Sequence, residues 1–320
     1  MTGHSWGRVR LLAGLVVLGV LVWRLGTGPF LDGIRMVDGQ TLLVGTGLAV
    51  PTTICCAQRW RLVARSLGLD IGLPDAVAAY YRSHLLNTVL PGGVLGDLDR
   101  GLRQGRGSGD TGRGLRAVGW ERLAGQVVQV ATTLVVLLLV PSPVGPALPA
   151  VGVSLGVLAL ACTLVLRMDP RTRGARLLRA VRSDLSHGLL SPRTWPGVTA
   201  TSLVAVVGHV ATFLVAAHAA GVRAPADRLL PLALLVLLAM ALPLNVAGWG
   251  PREGVAAWAF AAAGPGAGLG VTTAVVYGVM VTVAALPGLV ILLLGRLLPR
   301  DARKPGVPAL VEAGRETARG

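Results

Sequence analysis

Apolar runs of bilayer-spanning length recur along this chain, and its charges collect in the short stretches between them. The pattern predicts helices over 9–23, 41–58, 74–90, 117–140, 150–166, 197–220, 229–246, 255–263 and 271–294. Pro51 is expected to kink the second. Two segments do not fit a simple crossing. The 74–90 helix carries Arg82, His84 and Asn87, too polar to face lipid, and 255–263 is short. An amphipathic surface helix is expected over 173–190. The reading is an all-α, polytopic integral membrane helical bundle.

Two stretches interrupt this pattern. The first is Leu90-Pro91-Gly92-Gly93-Val94-Leu95-Gly96-Asp97-Leu98-Asp99-Arg100, and the second is Leu242-Pro243-Leu244-Asn245-Val246-Ala247-Gly248-Trp249-Gly250-Pro251-Arg252-Glu253. Each opens Leu-Pro, runs through glycines, and reaches an arginine nine residues after the proline with an acid close by. Proline and glycine break helices, and broken backbone at membrane depth survives only where it lines a protein-enclosed polar site. Re-entrant or broken helices are therefore expected at both places. The segment 101–114, rich in glycine and arginine, reads as a flexible loop.

Charge orients the bundle. The stretch 59–116 holds nine arginines against five aspartates, and 167–196 holds seven against two. The loop 24–39 is neutral in sum, and 141–149 is uncharged. Basic loops stay in the cytoplasm, so both termini are expected inside. The first broken stretch is then approached from the cytoplasm and the second from outside, as inverted repeats produce.

The 320 residues are 53% hydrophobic and 14% charged, with a mean hydropathy of +0.67. Soluble domains carry about 25% charged residues. The net charge of +15 does not signal nucleic acid, because its arginines sit between membrane segments. Lysine occurs once, at Lys304. Cys55, Cys56 and Cys162 lie in or at the end of apolar segments without metal spacing, so no metal or cofactor is expected. The first 30 residues have a basic start and an apolar core but no clean cleavage site, which reads as a retained signal anchor. No phosphate-binding loop and no nucleophile set appears.

The candidate binding residues are Asp97, Arg100, Glu121, Arg122, Asn245, Arg252 and Glu253. Arginine suits phosphate because its planar fork grips two oxygens. For Asp97 and Arg100 the alternative is a solvated turn. For Arg252-Glu253 it is a helix-start pair, with Glu253 near the positive helix end. Glu121-Arg122 either marks an interface or closes a charge network with Arg100 or Asp97. Trp60, between Arg59 and Arg61, reads as an interfacial anchor, and His84, His209 and His218 read as buried packing residues.

The ordered set Arg59-Trp60-Arg61, Tyr80 to Asn87, Leu90-Pro91-Gly92-Gly93 to Gly96-Asp97 and Arg100, Glu121-Arg122-Leu123-Ala124-Gly125, and Leu242-Pro243 to Gly248, Gly250 and Arg252-Glu253 resembles the lysylphosphatidylglycerol synthase transmembrane family. That family is the flippase-like membrane domain of the bacterial multiple peptide resistance factor and of many stand-alone proteins. The resemblance spans most of the chain. It implies one flippase-like domain over 1–298, followed by a basic, disordered cytoplasmic tail over 299–320. The family's usual Gly-Gly-Asp run appears here as Leu95-Gly96-Asp97. The soluble aminoacyl-transferase domain of the full-length enzymes is not expected in this chain. The implied function is binding or translocation of an anionic or aminoacylated phospholipid, or of a polyprenyl-phosphate-linked lipid, in a bacterial cytoplasmic membrane. The alternative is the membrane component of a lipid aminoacyl- or glycosyl-transferase system, with a separate soluble transferase as partner.

Overall fold

The structure is a computed structural model that describes residues 3–90, 93–140, 182–241 and 249–297, with isolated positions between 149 and 180. In chain order its helices are α1 (Gly3–Leu25), α2 (Gly28–Arg35), α3 (Gly39–Ser66), α4 (Leu73–Val89), α5 (Leu95–Gly107), α6 (Thr111–Leu139), α7 (Trp195–Ala219), α8 (Ala226–Ala239), α9 (Pro251–Ala263), α10 (Ala267–Ala284) and α11 (Pro287–Leu297). A π-helical turn, Asp184–Leu189, precedes α7. Among the described residues every extended element is helical, and the chain is a multi-pass membrane bundle.

The helix ends show why these segments start where they do. The Asp38 side chain accepts the Thr41 N–H at 2.7 Å to open α3, and Asp110 accepts the Arg113 N–H at 2.9 Å to open α6. Those backbone donors hold both carboxyls below their ordinary range. Helices α4, α7 and α9 carry proline in the first two positions, where a missing N–H leaves no bond unmade.

Four stretches are long and apolar enough to cross a bilayer: Gly39–Ser66, Thr111–Leu139, Trp195–Ala219 and Ala267–Gly295. The last joins α10 to α11 across a short break. The expected N-terminal anchor counts as a fifth crossing only together with α2, and the pair Gly14–Leu25 and Gly28–Arg35 is bent by 96°. The expected loop 24–39 is therefore mostly helix. Gly33 of α2 sits so close to α10 that an added Cβ would lie 2.7 Å from Val275. Pro51 lies inside α3, which continues to Ser66.

The described chain repeats one order of elements. A long helix, a short helix, a break, a short helix and a long helix occur as α3–α4–α5–α6 and again as α7–α8–α9–α10. The packing repeats with it. Within each half, neighbours in sequence pack together and the first helix also meets the last. Between halves α3 packs on α7, α3 on α10, and α6 on α7; α6 also packs on α8. Exchanging the halves leaves the first three pairings unchanged, while that of α6 with α8 has no comparable counterpart between α10 and α4 among the described residues. The main apolar core, including Phe213, Phe260 and Tyr277, joins α6 to α10. Phe213 and Phe260 pack edge to face with their ring centroids 6.3 Å apart.

The segment 101–114 is not the flexible loop its composition suggests. Helix α5 runs through Gly107 and α6 starts at Thr111. Three glycines of the segment, Gly101, Gly105 and Gly114, serve close packing, while Gly107 and Gly109 have open space around them. A Cβ on Gly114 would lie 2.3 Å from the Gly101 carbonyl oxygen, and one on Gly105 would lie 2.4 Å from Thr111 Cα. Most of 150–166 and all of 242–248 lie outside the described residues, as do 173–179 and 181; the end of the expected surface helix is the π-helical turn Asp184–Leu189.

Gly114→Ala should destabilise the protein by about 1–3 kcal/mol, because the α5–α6 backbones would have to separate. Gly119→Ala on the same helix, with open space around it, should be neutral or mildly stabilising. Thermal unfolding in detergent of the two variants against the parent chain measures the difference.

Candidate functional site

The first broken stretch ends in a buried charge cluster centred on α6. Glu121 is fully buried. Its Oε1 accepts from Arg59 Nε of α3 at 2.9 Å, and its Oε2 accepts from Arg100 Nη2 of α5 at 2.9 Å. Arg100 Nη2 also donates to Asp97 Oδ1 at 2.9 Å. Ser83 Oγ donates to that same oxygen at 3.0 Å, Asn87 Nδ2 donates to Asp97 Oδ2 at 2.9 Å, and Arg122 donates to Asp97 Oδ2 as well. The Arg100 guanidinium lies between the rings of Trp60 and Tyr80, 4.5 Å from each centroid. Cation–π attraction is strongest where both groups are dry, as they are here.

Local sequence sets this geometry. Gly96 brings α5 onto α4 so closely that a Cβ would stand 2.1 Å from the Ser83 carbonyl oxygen. Its N–H donates to Asn87 Oδ1 at 2.8 Å, which leaves the Asn87 amide nitrogen for Asp97. In the run Leu95-Gly96-Asp97 it is Gly96 that this contact requires.

The second broken stretch closes on a smaller pair. Gly250 has φ 128°, a conformation other residues rarely adopt. Its N–H donates to Glu253 Oε2 at 2.6 Å, and Arg252 Nε donates to Glu253 Oε1 at 2.8 Å. The Arg252 guanidinium lies 5.3 Å from the Trp249 ring centroid and 5.8 Å from that of Tyr277. Tyr277 Oη shares a hydrogen bond with His209 Nδ1 at 3.2 Å.

One cavity of about 280 Å³ joins the two stretches. It runs between the halves and is lined from every helix α3 to α10. Asp97, Arg122 and Arg59 stand on its wall, and so do Arg252, Trp249 and Tyr277. Polar uncharged groups fill the surface between them: Thr52, Thr53, Ser83, Asn87, Gln126, Gln129, Ser202 and Thr282, with His84 and His209. Apolar side chains, Val206, Leu237, Met240 and Val281 among them, share the wall, so it offers both polar and apolar surface to a guest. Among the described residues no group of His, Cys, Asp and Glu has the arrangement of a metal site.

Residues 9–293 match the family described as the lysylphosphatidylglycerol synthase TM region. The chain belongs to that family. No curated protein and no solved structure matches it. The lysylphosphatidylglycerol synthase TM region is a membrane domain linked to lipid-related synthase and flippase roles.

The residues singled out in the sequence fall into three groups in this family member. Asp97, Arg122 and Arg252 line the cavity. Arg100, Glu121 and Glu253 stand behind the wall, each at most 1% exposed, and position the residues in front of them. Asn245 lies outside the described residues. Arg59 was read as part of a basic helix end, yet it is buried against Glu121 and donates to Ser202 Oγ at 3.3 Å. Trp60 is 1% exposed and packs on Arg100, so it is not an interfacial anchor. His84 and His209 line the cavity, and His218 is exposed rather than buried.

Two glycines have a role at the site that the sequence did not assign to them. A Cβ on Gly125 would stand 2.8 Å from the Arg59 guanidinium carbon, and one on Gly278 would stand 2.3 Å from Arg252 Nη2. Each provides the flat surface against which a buried guanidinium rests. The signal in sequence was the Gly125 that closes Glu121-Arg122-Leu123-Ala124-Gly125, four positions beyond the acid that Arg59 meets.

Glu121→Gln should cost about 3–5 kcal/mol, because it leaves two buried guanidiniums short of their shared counter-charge. Thermal unfolding should show the loss at all accessible pH values. Arg65→Gln, at a pair exposed on both sides, should change stability little.

Proposed function

We propose that this protein binds the head group of a phospholipid, or of a polyprenyl-phosphate-linked lipid, in the central cavity and moves it between leaflets of a bacterial cytoplasmic membrane. The observation that carries the reading is a cavity, with charged and polar groups on its wall, that links two arginine-bearing helix breaks in a member of a lipid-linked membrane family. Arg122 is the first contact for a phosphate. It is bonded within the cluster to Asp97 alone, lines the cavity, and has a side chain 44% exposed. Arg252 offers a second guanidinium from the other half. Neither is left as a bare charge in the free protein, since Asp97 and Glu253 neutralise them.

The repeated helix order supports movement as well as binding. The charge pattern of the loops is that of two halves running in opposite directions across the bilayer. A site between such halves opens to either side by rocking one against the other. The arginine-rich segments 59–116 and 167–196 then face the cytoplasm with both termini.

Two measurements check this reading. In vesicles containing the purified full chain, a head-group-labelled phospholipid should equilibrate between leaflets. Arg122→Gln and Arg252→Lys should each slow it by about tenfold or more, the loss of one charge-assisted contact. Unchanged transfer in both variants overturns the assignment of the cavity as the site. Reporter fusions at either terminus should be active only with cytoplasmic reporters, and a periplasmic signal from the C-terminal fusion overturns the topology.

A further inference from the structure

We propose that His84 and His209 form a proton-binding pair that couples movement of the lipid to movement of a proton across the membrane; the coupling rests on the lipid reading above.

The two imidazoles stand where two spaces meet. Beside the central cavity lies a smaller void of about 20 Å³, and Thr52, Thr53, His84, His209 and Val281 line both. Three helices give the spaces the same order. Along α3 the cavity touches Thr52, Thr53, Cys56 and Arg59, and the void touches Gly45, Ala49, Thr52 and Thr53. Along α7 the cavity reaches from Ser202 to His209, and the void from His209 to Thr212. Along α10 the cavity reaches from Tyr277 to Thr282, and the void from Met280 to Ala284. The void therefore extends the cavity toward the Gly39 end of α3, the outer side in the topology proposed above. Met280 seals it there, packed so closely on α3 that a Cβ on Gly45 would lie 2.5 Å from Met280 Cε. His84 belongs to α4 of the first half and His209 to α7 of the second. A coupling ion binds at such a place, between the halves and within reach of a path to either side.

The chemistry of the wall selects the same two groups. Histidine is the side chain whose charge changes between about pH 5 and 8, and a neutral imidazole both donates and accepts. Asp97 is held by Arg100, Arg122, Ser83 and Asn87. The arginines keep their charge, and cysteine and tyrosine ordinarily lose a proton only at alkaline pH. Tyr277 Oη fixes the His209 ring through Nδ1 at 3.2 Å. A void of this size holds about one water, and the imidazoles with the hydroxyls of Thr52, Thr53 and Thr212 give it polar partners.

The surrounding charge sets the direction of the coupling. Arg122 of α6 and Asp97 of α5 act on His84, and Arg59 of α3 and His84 itself act on His209. Cys56 of α3, Tyr80 of α4 and Arg252 of α9 stand on the same wall. Helix α8 brings Leu237 and Ala239, and α11 meets α4 at Gly288, beside Leu85. A proton added to either ring meets Arg59, Arg122 and the other ring. Its repulsion pushes the halves apart, and water entering between them screens it. Proton binding therefore favours the opened arrangement, and by linkage acid promotes opening. The proton is taken from water on one side and given to water on the other, and only N–H bonds form and break.

The test uses the purified full chain in vesicles of phosphatidylcholine and phosphatidylglycerol, with fluorescently labelled phosphatidylglycerol as the probe and protein-free vesicles as the background. With equal pH on both sides, transfer should rise about tenfold or more from about pH 8 to about pH 6, since one coupled proton allows up to about tenfold per pH unit. With a pH gradient the label should accumulate in one leaflet. Equal distribution under the gradient overturns the coupling and leaves the lipid reading standing, whereas no transfer at any pH overturns the lipid reading. The double variant His84→Gln, His209→Gln should lose the response to the gradient, and His218→Gln, exposed and away from the cavity, should keep it. Accumulation that persists in the double variant overturns the assignment to this pair. Nitrogen NMR of the histidine-labelled chain in detergent reads the pair without lipid movement. His84→Gln should shift the titration of His209 by about one pH unit, and an unshifted titration overturns the pair.

Discussion

A carboxylate with no exposure to solvent, that of Glu121, ties three helices into one rigid block. It sits on α6 and receives Arg59 from α3 and Arg100 from α5. Burying three charges in a membrane bundle is tolerable only when each meets another, and the geometry enforces this. Arg100 then reaches Asp97, and Asp97 reaches Ser83 and Asn87 on α4. Four helices of the first half are thereby coupled through side chains that point inward. The cavity keeps its shape because its polar wall is bonded from behind.

Glycine works alongside these charges. The broken stretches draw attention to it as a helix breaker, yet most of its effect is to make room. Gly96 admits the Ser83 carbonyl, Gly114 admits the Gly101 and Gly105 backbones, and Gly125 and Gly278 admit the guanidiniums of Arg59 and Arg252. Close backbone approach is how membrane helices associate where no hydrophobic force drives them together. In this chain the same device brings side-chain charge near helix backbone, which lets an arginine lie flat inside a bundle.

The two halves are alike in helix order and packing but unequal in charge. The first contributes three arginines and two acids to the region of the cavity, and the second one of each. The cavity therefore has an electrostatically strong wall on one side and a weaker, aromatic one on the other.

The sequence alone determined the class of protein, the main helices and the place of the two breaks, because these depend on local properties: apolar length, proline, glycine and the scarcity of charge. Long runs such as Gly39–Ser66 and Trp195–Ala219 allow no other reading in this composition. It also marked the charged residues at the breaks, since an ionisable group in an apolar chain stands out. Tertiary structure decided what those residues do. Whether Arg100 faced the cavity or stood behind it depended on the rings of Trp60 and Tyr80, distant in sequence and carrying no charge to signal the contact. The same holds for 101–114. Its glycines read as flexibility until a second helix was found against them, because one residue type serves both a mobile loop and a tight helix contact. The pairing of Arg59 with Glu121, 62 residues apart, was likewise beyond any local pattern, since only the packing of α3 on α6 brings the two groups within hydrogen-bonding distance.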